Sequence, residues 1–169
     1  MINNIIILGS TGSIGSTVLN VIKKKKNFKV SLITTNKNVK KILKQAILYN
    51  VKNVIVEDEN EYKKFKIIFK RKKINLYLGI NNLKKIVKSK VAFCVNSISG
   101  IDGLEPTLDI IPNTKNILIA NKESIICGWN LIHKQLIKYK TNFIPIDSEH
   151  FSIWELIKNE NSENIKKII

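Results

Sequence analysis

The sequence predicts an α/β fold: a doubly wound, mainly parallel sheet with helices on both faces. Three observations predict it. Short apolar runs alternate with helical patterns almost from end to end. The runs are short and rich in Ile, Leu and Val, as strands covered on both sides are. The first of them, Ile5-Ile6-Ile7-Leu8, stops in a glycine-spaced turn, and the chain re-emerges from that turn as a helix.

In order, residues 5–8 form the first strand and 13–24 its helix, and residues 28–33 alternate into a second strand. Val39, Ile42, Leu43, Ala46 and Ile47 recur at helical spacing. A third strand at 54–56 precedes a charged helix through Phe65, Ile68 and Phe69. Further strands fall at 76–78, 92–95, 117–119 and 143–146, followed by a short helix over 149–157. The terminal Ile165-Lys166-Lys167-Ile168-Ile169 has the pattern of a strand just beginning, which predicts that more chain follows. One domain is expected over 1–146, with 147–169 opening a second region.

The bulk numbers exclude several classes. A chain of 169 residues with 44% hydrophobic residues can bury a core. No apolar run is long enough to span a bilayer, and no leader precedes the first strand, so a soluble cytoplasmic protein is expected. The formal charge of +16 invites nucleic acid as a partner. Against that, Arg71 is the only arginine, whereas readers of phosphate and bases favour the bidentate guanidinium. The runs at 23–26 and 70–73 fall where helices end, and cations there complement the helix dipole. No nucleic-acid partner is therefore expected. Cys94 and Cys127 lie in apolar surroundings and are expected to be buried free thiols.

Three stretches carry chemistry. The first is Gly9-Ser10-Thr11-Gly12-Ser13-Ile14-Gly15, a strand-to-helix turn of the Rossmann-like kind. Its glycines let backbone approach a pyrophosphate, and the helix start offers free N–H groups. The plain alternative is a tight turn that binds nothing. The end of the second strand, Thr34-Thr35-Asn36-Lys37-Asn38, has no carboxylate to hold a ribose 2′-hydroxyl. Its lysine, flanked by hydroxyl and amide groups, suits a 2′-phosphate and favours NADP over NAD. Alternatively, Asn36 or Asn38 caps the next helix and Lys37 is simply solvated.

The second stretch is Ala120-Asn121-Lys122-Glu123-Ser124, after the strand at 117–119. Asn121 can cap a helix and Glu123 suits its first turn. Lys122 does not fit that account, because a cation opposes the dipole there, and an anionic ligand would relieve it. The third is Asp147-Ser148-Glu149-His150. Two carboxylates at a strand end can converge on Mg²⁺ or Mn²⁺. Alternatively, Asp147 or Ser148 caps the helix that follows. His150 is read as a helix-surface residue.

These three motifs, with Gly100-Ile101-Asp102-Gly103-Leu104-Glu105-Pro106-Thr107-Leu108 between them, resemble the 1-deoxy-D-xylulose 5-phosphate reductoisomerase family from Ile5 onward. The resemblance implies an NADPH- and metal-dependent enzyme that rearranges and reduces 1-deoxy-D-xylulose 5-phosphate to 2-C-methyl-D-erythritol 4-phosphate in non-mevalonate isoprenoid synthesis. It implies that Thr11, Gly12, Ser13, Ile14, Lys37, Asn38, Asn121 and Glu123 contact NADPH. Lys122, Ser148 and Glu149 would touch the phosphosugar substrate, with Lys122 and Glu149 catalytic. Asp147 and Glu149 would ligate Mg²⁺ or Mn²⁺, and the family's members are expected to be homodimers. On this reading 1–146 is the NADPH-binding domain and 147–169 the start of the catalytic domain.

Two departures matter. Asn36 stands where the family usually has glycine. The family's chains are also more than twice as long. The remainder holds a third metal carboxylate, the substrate-phosphate site, a lid loop and a helical domain, so these residues alone are expected to be inactive. The competing readings are a stand-alone NADP-binding module and a basic interaction protein on the same scaffold.

Overall fold

The computed structural model describes residues 2–165 and 167. Most of the residues of the expected terminal strand (Lys166, Ile168 and Ile169) lie outside that range. The strands are β1 (Asn3–Leu8), β2 (Phe28–Thr35), β3 (Asn53–Val56), β4 (Asn75–Leu78), β5 (Val91–Asn96), β6 (Thr114–Ile119) and β7 (Asn142–Pro145). The helices are α1 (Ser13–Lys23), α2 (Val39–Leu48), α3 (Glu59–Arg71), α4 (Leu83–Ile86), α5 (Leu104–Ile110), α6 (Lys122–Tyr139) and α7 (Ser148–Ile157).

All seven strands join one sheet in the order β4-β3-β2-β1-β5-β6-β7, and every pairing is parallel. The chain winds outward from β1 to β4, returns to lie beside β1 as β5, and winds outward again to β7. The reversal between β1 and β5 is the topological switch point, where the loops leave for opposite faces and open a crevice.

Side-chain alternation on β1 shows why a helix layer is needed on each side. Ile5 and Ile7 face one core and Ile6 and Leu8 the other, all almost wholly buried. Burial of each such side chain contributes roughly 1.5–3 kcal/mol. Leu19 and Ile22 of α1, Val39, Ile42 and Ala46 of α2, and Phe65 and Phe69 of α3 fill the first core. Leu83 of α4, Ile110 of α5 and Ile125, Ile132 and Leu136 of α6 fill the second. In β2 the register slips against β1 between Ile5 and Ile6, so that Ser31 is the extra residue and its hydroxyl donates to Ile5 O at 3.2 Å. Val30 and Ile33, three apart, therefore share a face, which simple alternation does not foresee.

Helix ends follow their chemistry. Lys23 closes α1, and Lys70 and Arg71 close α3, on the negative ends of the dipoles. Asp58 caps α3 by accepting from Glu61 N at 2.9 Å. The expectation for the thiols holds for buried Cys94, whose pKa burial pushes up, but fails for exposed Cys127. The inward side of α6 carries Ser124, Ile125 and Gly128, and Cys127 lies outside that stripe. Ile68 is likewise exposed, because α3 buries Phe65 and Phe69 instead.

The loop after β5 is held by a buried amide. Asn96 Nδ2 donates to Gly103 O at 2.8 Å and to Thr107 Oγ1 at 2.6 Å, and its Oδ1 accepts from Ile98 N at 3.1 Å. Asn96→Ala should cost about 2–3 kcal/mol, since it strands those partners out of water. Urea unfolding followed by circular dichroism measures this.

Candidate functional site at the carboxyl rim of the sheet

Parallel strands bring all their C-terminal ends to one rim. Across it runs a cleft of about 670 Å³, from Glu57 after β3, past Thr35 and Asn36, over Gly9, Thr11 and Gly12, to the loop at 97–99 after β5. It spans the switch point. Among the described residues no helix is long and apolar enough to cross a membrane.

The glycine turn forms the cleft's centre. Gly9 has φ +76°, and a Cβ there would lie 2.8 Å from Ser97 O. A Cβ on Gly15 would lie 2.5 Å from Gly9 O and 2.6 Å from Ser10 Cα. Both positions admit only glycine without backbone movement. Gly9 N donates to Thr34 Oγ1 at 2.9 Å, Ser10 N to Thr34 O at 2.9 Å, and the Thr11 and Thr35 hydroxyls meet at 2.6 Å. Gly12 N bonds Gly9 O at 3.1 Å, which leaves the amides of Ser13, Ile14 and Gly15 to open α1 with no intrahelical acceptor. Thr11 and Gly12 line the cleft, and Ser13 and Ile14 are exposed at the helix start beside it.

At the end of β2, Asn36 lines the cleft, while Lys37 and Asn38 line a shallower neighbouring depression with Asp58 and Lys64. Asn38 Oδ1 caps α2, accepting from Lys41 N at 3.2 Å. Lys37 is exposed.

The second motif sits differently from a simple helix cap. Asn121 occupies the cap position of α6 without a side-chain cap bond. It is 5% exposed, and its Nδ2 donates to Ile98 O and Gly100 O, strapping the cleft loop to α6. Its Oδ1 is buried without a partner among the described residues. A Cβ on Gly103 would lie 1.9 Å from Asn121 Nδ2, so glycine is what admits the strap. Lys122 and Glu123 are exposed at the start of α6.

The third motif meets the second. Lys122 Nζ lies 3.5 Å from Glu149 Oε1, and Ser148 Oγ donates to Glu149 Oε2 at 2.9 Å. The backbone N–H of Glu149 itself, then the Ser148 hydroxyl, then the Lys122 ammonium hold the Glu149 carboxyl below the usual carboxylate range. Asp147 caps α7: its Oδ1 accepts from His150 N at 3.0 Å and lies 2.7 Å from His150 Nδ1. Its Oδ2 is buried without a partner among the described residues. An orphaned carboxylate oxygen, with a second carboxylate two residues along the chain, has the donor chemistry of a hard-cation site. Among the described residues no three His, Cys, Asp or Glu side chains come together to hold one.

The contacts are continuous: the turn touches the β5 loop, that loop is strapped by Asn121, and Lys122 reaches Glu149. Sequence reasoning missed Ser97, Asn96 and Gln45, and it read Thr34 and Gly103 only as members of motifs, without their contacts to Gly9 N and Asn121. For Gln45 a signal existed, because it is a polar residue set in the apolar stripe of α2 beside Ile42 and Ala46.

Fold and site define a doubly wound α/β domain with a glycine-turn cleft at its switch point. Residues 5–128 match the family model described as 1-deoxy-D-xylulose 5-phosphate reductoisomerase, and the chain belongs to that family. The enzyme of that name from Pelagibacter ubique (strain HTCC1062) is 55% identical over 167 residues, 97% of this chain and 43% of the relative. This chain thus spans less than half the length of the curated relatives it matches. Among solved structures, the reductoisomerase from Zymomonas mobilis in complex with NADPH superposes with TM-score 0.82 at 28% identity, covering 89% of this chain and 40% of that one. A reductoisomerase in complex with NADPH, fosmidomycin and magnesium gives TM-score 0.84 at 29% identity, covering 91% and 38%.

Two outcomes are expected. Gly15→Ala should destabilise the fold by about 1–3 kcal/mol, because the clash is with backbone, as thermal melts measure. Glu57, which lines the cleft, has its carboxyl pKa raised by burial against the wall and by Glu105, with Ile80 N–H opposing. The unfolded chain therefore loses this proton first as pH rises. The group's contribution to stability falls between the ordinary carboxylate pKa and the raised one. Glu57→Gln should remove that fall, stabilising at pH 7 and not below the carboxylate range. The gain stays under about 1 kcal/mol because solvent screens the site. Melts at both pH values check it.

Proposed function

We propose that this chain is the cofactor-binding part of an NADPH- and divalent-metal-dependent reductoisomerase acting on 1-deoxy-D-xylulose 5-phosphate. The observation that carries the reading is that one rim of the all-parallel sheet carries the glycine cleft and the starts of α6 and α7, where Lys122 meets Glu149. Thr11, Gly12, Ser13 and Ile14 would cradle the diphosphate of NADPH, since Thr11 and Gly12 line the cleft and the first amides of α1 open beside it without an intrahelical acceptor. Lys37 and Asn38 would face the 2′-phosphate end, and Asn121 and Glu123 the far end. Asp147 and Glu149 would hold Mg²⁺ or Mn²⁺, and Lys122, Ser148 and Glu149 the phosphosugar, with Lys122 and Glu149 catalytic. When bound, NADPH supplies a hydride and the metal supplies Lewis-acid polarisation of substrate oxygens.

The chain's own residues orient these groups. The tethered turn presents N–H groups and a helix dipole to the diphosphate. Lys122 offers a point charge at the start of α6, where an anion is favoured. Glu149, exposed beside Lys122, would offer its carboxylate to a cation. A boundary after Ile146, homodimeric assembly and a cytoplasmic location belong to the same proposal, on the family resemblance.

NADPH should bind saturably in the micromolar range, at least tenfold tighter than NADH, and Lys37→Ala should reduce that preference; cofactor fluorescence measures both. No saturable binding of NADPH would overturn the reading. Asp147→Asn should raise the Kd for Mn²⁺ about tenfold or more by electron paramagnetic resonance, with NADPH binding changed less than threefold. In the full-length polypeptide, EDTA should stop NADPH oxidation by the phosphosugar, and excess Mg²⁺ should restore it.

A further inference from the structure

We infer that Gln45 and Lys41, one turn apart on α2, are positioning residues that preset the glycine turn for a diphosphate; this rests on the nucleotide reading above. Gln45 is 8% exposed and uses both ends of its amide on Ser10. Its Oε1 accepts from Ser10 Oγ at 2.8 Å, and its Nε2 donates to Ser10 O at 2.8 Å. Lys41 Nζ donates to Thr11 O at 2.6 Å. A third carbonyl of the turn, Gly9 O, accepts from Gly12 N at 3.1 Å and Ser97 Oγ at 3.2 Å, and Ser16 Oγ donates to Ser10 O at 3.3 Å. Three consecutive carbonyl oxygens are thus each held by a donor.

This matters because a peptide can face an anion with either pole. Phosphate oxygens repel carbonyl oxygens and attract N–H groups. A glycine-rich turn is free to flip, and ordering it on binding costs affinity. Ties from α2 to the Ser10 and Thr11 carbonyls hold the turn with its carbonyls drawn back, before any ligand arrives. They also explain a polar side chain in a buried stripe. An apolar residue at 45 would bury more surface favourably, whereas an amide is tolerated there only with its hydrogen bonds made. Lys41 adds a positive charge beside the turn that acts on any dinucleotide, whether or not it carries a 2′-phosphate.

The test is titration of the protein with NADPH and with NADH, alongside thermal melts. Gln45→Leu should raise both Kd values by about tenfold or more, and Lys41→Met both by about threefold to tenfold. Ser10→Ala keeps the backbone carbonyl tie and should change either by less than threefold. Phe69→Leu, buried on α3, serves as a control for lost stability and should change neither by more than twofold. If Gln45→Leu fails to fold, Gln45→Glu takes its place under the same criterion, since it keeps the acceptor for Ser10 Oγ and lacks the donor to Ser10 O.

The clamp is overturned if the Gln45 variant binds both nucleotides within twofold of the unaltered protein. It is also overturned if Phe69→Leu, at a matched fall in melting temperature, weakens binding as much. A Lys41→Met loss confined to NADPH overturns the role of Lys41 on the turn. If the unaltered protein binds no NADPH, the nucleotide reading fails and takes the clamp with it.

Discussion

Everything at the rim depends on how closely two backbones pass at the switch point. β1 and β5 are neighbours whose following segments leave for opposite cores. The space between them is filled by main chain: there is no room for a Cβ on Gly9 against Ser97, nor on Gly15 against Gly9 and Ser10. Three pieces of backbone therefore nest without side chains between them. Ser97 Oγ fixes the contact by donating to Leu8 O at 2.7 Å. Because the turn is packed this tightly, α1 begins at a defined point, and its unpaired amides open where the cleft crosses the sheet.

Irregular backbone on the other side of the cleft is held by buried amides. Asn96 satisfies the loop from inside and Asn121 from α6. Each needs a glycine or a carbonyl at close range, which is why Gly103 approaches Asn121 so nearly. These side chains do the work that a strand ladder would do for regular backbone. They also make the site one connected body. The β5 loop cannot shift without straining the start of α6, and Lys122 is the first residue of that helix.

The layers of the fold were legible in the sequence because the central strands are apolar runs buried on both faces, and the helical patterns between them supply the covering layers. The glycine turn was legible for a similar reason, since its spacing has one steric purpose. What escaped was whatever depended on the partner across space. The slip at Ser31 is set by pairing with β1, and a polar strand residue gives no sign of it beforehand. Asn121 has the identity of a helix cap, yet its amide is drawn to the loop carbonyls of a segment some twenty residues earlier. Cys127 sits among apolar neighbours in sequence, but the face of α6 that packs inward misses it. Asn38, by contrast, caps its helix as local chemistry dictates.

Electrostatics at the start of α6 and α7 give the last step. Lys122 opposes the dipole of α6, whereas Glu149 complements that of α7. Their contact relieves the first without disturbing the second, and it stays exposed, where water and salt screen such a pair. A weak pair is easily exchanged. An anion arriving at Lys122 and a cation at Glu149 would replace it at little cost, and Asp147 Oδ2, buried without a partner among the described residues, would gain a counter-charge. Helix α7 buries no residue of its own and is held mainly by its Asp147 cap and surface contacts. Under the proposed function, the metal side of the site is thus tied loosely where the nucleotide side is clamped, and ligands rather than packing would fix its geometry.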